Sequence, residues 1–227
     1  MHPDDLILVE RPRDGVALLT LNRPTKRNAL SVELREVGVG VLDDLAGDEA
    51  VRAVVVTGAG SVFSAGFDLG EFETALADEA FGRRLWASSD DWHRRWIEFP
   101  VPTIAAVNGP AIAGGFDVAV MCDMRVVADT ATFAHPEIGF GDVVYGPLHD
   151  LVGGAAARDL CFTGRRIDAA EADRLGLVTR HAATDRVVAD AVDLAGTVAE
   201  APRTSLVRLK AKAVRRAGTV AGGTLDL

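Results

Sequence analysis

The sequence predicts an α/β fold on three observations. Short β-branched runs recur along the chain, windows of helical spacing separate them, and glycine-containing turns follow two of the runs. In order, residues 6–10 (Leu-Ile-Leu-Val-Glu) and 15–22 read as two strands joined by the turn-rich Arg-Pro-Arg-Asp-Gly stretch. Ser31 then stands as an N-cap with Glu33 and Leu34 behind it, opening a helix through about Leu45; Gly38 and Gly40 weaken that helix without cancelling it. Residues 51–57 (Val-Arg-Ala-Val-Val-Val-Thr) form a run ending at Gly58, the pattern of a buried strand, and the same grammar recurs at 103–107 and 124–128. Helical windows fall at about 71–98, 115–122, 150–162, 169–175, 185–200 and 203–217. The closing stretch 218–224, Gly-Thr-Val-Ala-Gly-Gly-Thr, reads as flexible.

Composition narrows the function. At 227 residues the chain is one generous domain or one plus an appendage, large enough to bury a sizeable core. Its 24 basic and 33 acidic residues leave a net charge of −9, against the basic surface a general nucleic-acid binder needs. The two cysteines, Cys122 and Cys161, are too few for a disulfide scaffold or a four-cysteine zinc site, and both fall in apolar helical stretches. Acids at the start argue against a secretory signal, and no window is long and apolar enough to span a membrane. The expectation is a soluble, cytoplasmic protein.

Two turns stand where a ligand is expected, beyond the carboxyl ends of strands. The first is Ser61-Val-Phe-Ser-Ala-Gly-Phe-Asp-Leu69; the second is Asn108-Gly-Pro-Ala-Ile-Ala-Gly-Gly-Phe-Asp-Val118. Gly114 and Gly115 read as a helix start, where backbone N–H groups lack intrahelical partners and could receive a developing oxyanion. The plainer alternative is a pair of ordinary glycine turns that let backbones pack closely. Neither matches a dinucleotide fingerprint or a P-loop, and no serine sits in a hydrolase elbow.

Joined with Leu21-Asn-Arg-Pro-Thr-Lys-Arg-Asn-Ala-Leu30 and the stretch from Thr163-Gly-Arg-Arg-Ile to Leu-Gly-Leu-Val178, these turns resemble the crotonase family (enoyl-CoA hydratase/isomerase), in the same order and over about residues 6–216. The resemblance implies a ββα spiral core over 1–200 and a short helical C-terminal segment over 201–227, which ends before the further helix members usually carry. It implies an acyl-CoA substrate, with coenzyme A as part of that substrate rather than a separate cofactor, and assembly as a homotrimer or dimer of trimers.

By position, the family's oxyanion hole falls on the backbone N–H groups of Phe67 and Gly114, with Phe67 where alanine is commoner. The two catalytic carboxyls fall on Asp117, an aspartate where hydratases carry glutamate, and on Glu137 of His135-Pro-Glu-Ile. Two carboxyls flanking one water suit hydration of a 2-enoyl-CoA; Glu137 alone suits double-bond isomerisation. A first-turn carboxylate complementing the helix dipole is the plainer reading of Asp117. A family member weakened in catalysis that only binds acyl-CoA is a further alternative.

Lys26 and Arg27 are candidate phosphate contacts, and Ala65, Asp68, Leu69 and Gly70 complete the expected substrate wall. Gly70 stands where many members place a lysine. The stretch from Gly139 to His149 is short and lacks the family's Gly-Gly-Thr helix start. The basic residues of 203–217 (Arg208, Lys210, Lys212, Arg215, Arg216) either reach coenzyme A or form a solvated face. His135 either orients Glu137 or simply packs in its turn. His93, His149 and His181 lie in unrelated contexts, no histidine pair has metal-ligand spacing, and no metal is expected.

Overall fold

A computed structural model of the chain describes residues 6–139 and 143–218. The first strands, β1 (Ile7–Arg13) and β2 (Val16–Leu21), pair antiparallel, and α1 (Val32–Gly47) follows with the Ser31 hydroxyl accepting from the N–H of Leu34. That cap satisfies one of the donors a helix start leaves open. Next come β3 (Ala53–Gly58), α2 (Gly70–Ala77) and α3 (Glu79–Ile97). The expected single helix over 71–98 is therefore two. Asp78 takes an extended conformation between them, and its carboxylate accepts from the N–H groups of Ala80 and Phe81 to start α3.

Strand β4 (Thr103–Val107) leads through the two-residue β5 (Ala111–Ile112) into α4 (Gly114–Met121). Strands β6 (Met124–Ala128) and β7 (Thr132–Ala134) precede a 3₁₀ turn, Pro136–Gly139. Then follow α5 (Gly146–Thr163), β8 (Ile167–Asp168), α6 (Ala169–Arg174), β9 (Arg180–Ala182), α7 (Val187–Ala199) and α8 (Arg203–Ala217). Gly153, at φ +76°, breaks α5 with a kink. Strands β5, β7, β8 and β9, of two or three residues each, escape the periodicity argument because so short a run shows no repeat. Of the stretch 218–224 read as flexible, only Gly218 lies within the described residues; it caps α8 in a left-handed conformation.

The main sheet runs β1-β2-β3-β4-β6-β9, parallel from β2 onward, and a second sheet runs β5-β7-β8. Alternate residues of the central strands bury both faces of the main sheet. Leu19, Val54, Val56, Ala105 and Val127 join a large core with Trp92 and Trp96 of α3. Leu18, Val55, Ile104 and Val126 join a second core covered by Val187, Ala191 and Leu194 of α7. Two buried faces explain why these strands read as unbroken apolar runs rather than alternating ones. The turn after β3 lies against the turn after β4, joined by a bridge between Ser64 and Ala111 and by the Ile112 N–H donating to the Ser64 carbonyl.

Candidate active site

The turn after β3 is held from three sides. Asn28 donates to the carbonyls of Ala59 and Val62, and the Ser64 hydroxyl donates back to the Asn28 carbonyl. Asn108 donates to Gly58 and Gly60, and Arg23 pairs with Asp68 at 3.0 Å. Gly66 sits at φ +82°, where a side chain is strained. A Cβ there would lie 2.8 Å from the Ile112 carbonyl oxygen and 3.0 Å from the Gly114 nitrogen. The two turns thus meet backbone to backbone.

On the second turn, Ala113 takes φ +53° and ψ −130°, a conformation costly for any residue with a side chain, and α4 starts at the next residue. As the first residue of α4, Gly114 has an N–H with no intrahelical partner. Among the described residues neither the N–H of Phe67 nor that of Gly114 is used in a backbone hydrogen bond. Both residues line one cavity of about 910 Å³. Two N–H groups left open at one cavity, one from each turn, are of the kind that can receive a developing oxyanion.

Behind Phe67 lies a feature that sequence reasoning missed. Arg35 of α1 is fully buried, with its guanidinium carbon 4.3 Å from the centroid of the Phe67 ring. It donates to the carbonyls of Leu30 (2.5 Å) and Leu85 and to the Ser88 hydroxyl. Leu30 in turn donates its N–H to Gly66. Burial pulls the Arg35 pKa down to about 10, against the opposing charges of Glu71 and Glu36. Glu71 accepts the N–H of Val32, and burial, the largest influence on it, raises its carboxyl above the usual range.

Asp117 reaches the same cavity from the first turn of α4, and Glu137 from the 3₁₀ turn after β7. Between them stands His135, fully buried, with Nδ1 2.9 Å from Glu137 Oε1 and 3.7 Å from Asp117 Oδ1; its ring stacks on Phe116. Burial disfavours a charge on His135, but its hydrogen bond to Glu137 and the nearby charges of Asp117 and Glu137 outweigh it, raising its pKa above the ordinary histidine value. Asp117 Oδ2 lies 3.5 Å from Nε2 of His93 on α3. His93, expected in an unrelated context, instead touches the site: α3 packs on α4 and brings that ring to Asp117, a contact 24 residues away in sequence. Asp117, His135 and Glu137 each offer a ligand atom, all within 4.8 Å of one another, a set that could hold a metal ion; the same His135 nitrogen is the one bonded to Glu137.

Comparison with known proteins decides the relationship. The family model described as enoyl-CoA hydratase/isomerase matches residues 11–222. The chain belongs to the enoyl-CoA hydratase/isomerase family. It is 36% identical to a short-chain-enoyl-CoA hydratase of Clostridium acetobutylicum over 207 residues, covering 88% of this chain and 78% of that one. It is 34% identical to a hydroxycinnamoyl-CoA hydratase-lyase of Pseudomonas fluorescens, covering 82% and 70%. The crystal structure of an enoyl-CoA hydratase from Bacillus anthracis superposes with a TM-score of 0.87 at 29% identity, covering 95% of this chain and 84% of that one. The crotonase-like α/β fold expected from the motifs is the fold observed.

Of the residues nominated in this family member, Arg27, Ala65, Phe67, Leu69, Gly114, Asp117 and Glu137 line the cavity together. Lys26 lies exposed in a 3₁₀ turn, Gly70 opens α2, and Asp68 is engaged by Arg23; none of the three is on the cavity wall. In α8, Lys210 is buried against Asp123 at 2.6 Å, while Arg208, Lys212, Arg215 and Arg216 are exposed. Phe72, Trp86 and Arg166 line the cavity without a sequence signal. Helical spacing places Phe72 and Trp86 on α2 and α3 but says nothing of the face across from Phe67.

Proposed function

We propose that this chain hydrates a 2-enoyl-CoA thioester. The observation that carries the reading is a pair of carboxyls on one cavity wall. Asp117 Oδ1 and Glu137 Oε2 are both buried and both without a hydrogen-bond partner among the described residues. Buried carboxylate oxygens left open in this way are positioned to hold a water. The thioester oxygen lies between the N–H groups of Phe67 and Gly114, which stabilise the enolate more than the neutral carbonyl. Water bound by the two carboxyls adds its oxygen to C3 while one carboxyl takes its proton; the other carboxyl supplies a proton to C2, so H and OH add across the double bond. Glu137 and Asp117 fill these two roles as a pair. Isomerisation by Glu137 alone leaves the open oxygen of Asp117 without a task.

Arg27, Ala65 and Leu69 contact the coenzyme A portion, while Lys26, Asp68 and Gly70 support the wall from outside it. No separate cofactor is required, because coenzyme A arrives with the substrate. No helix among the described residues is long and apolar enough to cross a membrane, which agrees with a cytoplasmic enzyme. Assembly as a homotrimer or dimer of trimers follows from the family relationship; sedimentation as a stable monomer at micromolar concentration refutes that assembly. The catalytic reading is tested with a panel of 2-enoyl-CoA thioesters. Glu137→Gln should lose most turnover while retaining coenzyme A binding, and Asp117→Asn should do the same. Retention of full hydration by both variants defeats the assignment, and loss in Glu137→Gln alone with isomerised product favours the isomerase.

A further inference from the structure

The two carboxyls share a second pattern, which rests on the hydratase reading but can be measured apart from it. Each sets one oxygen against a buried imidazole and leaves the other without a hydrogen bond among the described residues. Glu137 Oε1 lies against His135 Nδ1 and leaves Oε2; Asp117 Oδ2 lies against His93 Nε2 and leaves Oδ1.

The protons on these rings are constrained. His93 Nδ1 is 2.8 Å from the carbonyl oxygen of Ser89, which only accepts, so Nδ1 carries a hydrogen. Its Nε2 faces Asp117 Oδ2 at 3.5 Å. His135 Nδ1 and Glu137 Oε1 share a hydrogen bond of 2.9 Å. The imidazole also stands between two acids whose facing atoms lie within 4.8 Å, a separation at which two uncompensated negative charges repel strongly.

We propose that His135 is a positioning residue of the hydration, fixing Glu137 through Oε1 so that Oε2 alone is presented to the bound water, with His93 holding Asp117 in the matching way through Oδ2. A side chain one methylene shorter than glutamate is thus steadied from behind by an imidazole. The charged groups that act on His135 are Asp117 on α4 and Glu137 in the 3₁₀ turn. The same two acids, together with burial, push the thiol of Cys161 on α5 up to about 11. His93 on α3 acts on this set through Asp117, and Arg166 lies on the same cavity wall.

Two measurements on the full-length protein test the proposal. The first is independent of turnover: the ring nitrogens of His135, one of five histidines, are titrated by NMR in the unaltered protein, in Glu137→Gln and in Asp117→Asn. Both substitutions should move the His135 midpoint to lower pH, more so for Glu137→Gln. Midpoints unchanged in both variants overturn the proposal even if the enzyme hydrates enoyl-CoA. The second is kinetic. His135→Asn keeps a donor near the Nδ1 position but cannot titrate, so it should retain measurable turnover and flatten the pH profile of kcat. His135→Phe removes the donor and should lower kcat by about 10- to 100-fold, the range for losing a partner that orients a functional group, with KM little changed. A folded His135→Phe enzyme with the original kcat and pH profile overturns the assignment. So does a stoichiometric divalent metal at Asp117, His135 and Glu137 whose removal by chelator abolishes activity. If the protein turns over no enoyl thioester but the NMR coupling is present, the positioning network stands and the hydratase reading falls.

Discussion

Gly66→Ala tests the proposed pairing of the Phe67 and Gly114 donors. The residue adopts φ +82°, which costs an L-residue about 1–2 kcal/mol. The added Cβ would lie 2.7 Å from the Ala113 Cβ, 2.8 Å from the Ile112 oxygen and 3.0 Å from the Gly114 nitrogen. Two of these are backbone atoms, which cannot swing aside. Restoring ordinary contact requires the turns after β3 and β4 to part by roughly half an ångström. Phe67 lies on one turn and Gly114 on the other, so that displacement widens the gap between the two N–H groups. An oxyanion donor works at about 2.7–3.1 Å, and losing one lowers kcat by about 10²–10³. The expected result is a folded protein, less stable by about 1–3 kcal/mol, with kcat down by a factor of about 10–10³. Steady-state hydration of a 2-enoyl-CoA and thermal unfolding measure both quantities. Gly40→Ala is the comparison: Gly40 is exposed within α1 with nothing within 4 Å of its added Cβ, so about 1 kcal/mol of stability is gained at unchanged kcat. A folded Gly66→Ala enzyme with unaltered kcat refutes the reasoning.

Arg35→Met removes the guanidinium that bonds Leu30, Leu85 and Ser88, and should cost about 2–4 kcal/mol in urea unfolding; a loss below about 0.5 kcal/mol contradicts the buried hub. Phe67→Ala keeps its backbone donor but removes a ring lying against Phe72 and His93, so the ratio of kcat/KM between bulky and short acyl groups should change while the best kcat is kept. An unchanged acyl preference speaks against Phe67 as a cavity wall. The raised pKa of His135 makes its protonation favour the folded state. That contribution is full below about pH 6.5 and is lost as pH rises through the raised value. The stability advantage over His135→Asn, from urea unfolding, should therefore be larger at pH 5.5 than at pH 8.5; the opposite order refutes the sign.

The sequence by itself determined the frame. The runs at 51–57, 103–107 and 124–128 are strands buried on both faces, so composition alone marks them, and Ser31 caps its helix by a bond local in sequence. The glycine turns were legible for the same reason: a backbone conformation closed to side chains leaves glycine behind as its mark, as at Gly66. Tertiary structure decided what those turns meet. The contact of His93 with Asp117, the burial of Arg35 beneath Phe67 and the aromatic wall of Phe72 and Trp86 arise from helices crossing at long sequence separation. No local pattern encodes such a crossing. His135 marks the boundary between the two. Its place two residues before Glu137 was plain in the sequence, but whether the ring turned toward that carboxyl depended on the packing of Phe116 against it. Helix and strand periods fix which residues face inward; only the docking of one element on another fixes which inward groups share a proton.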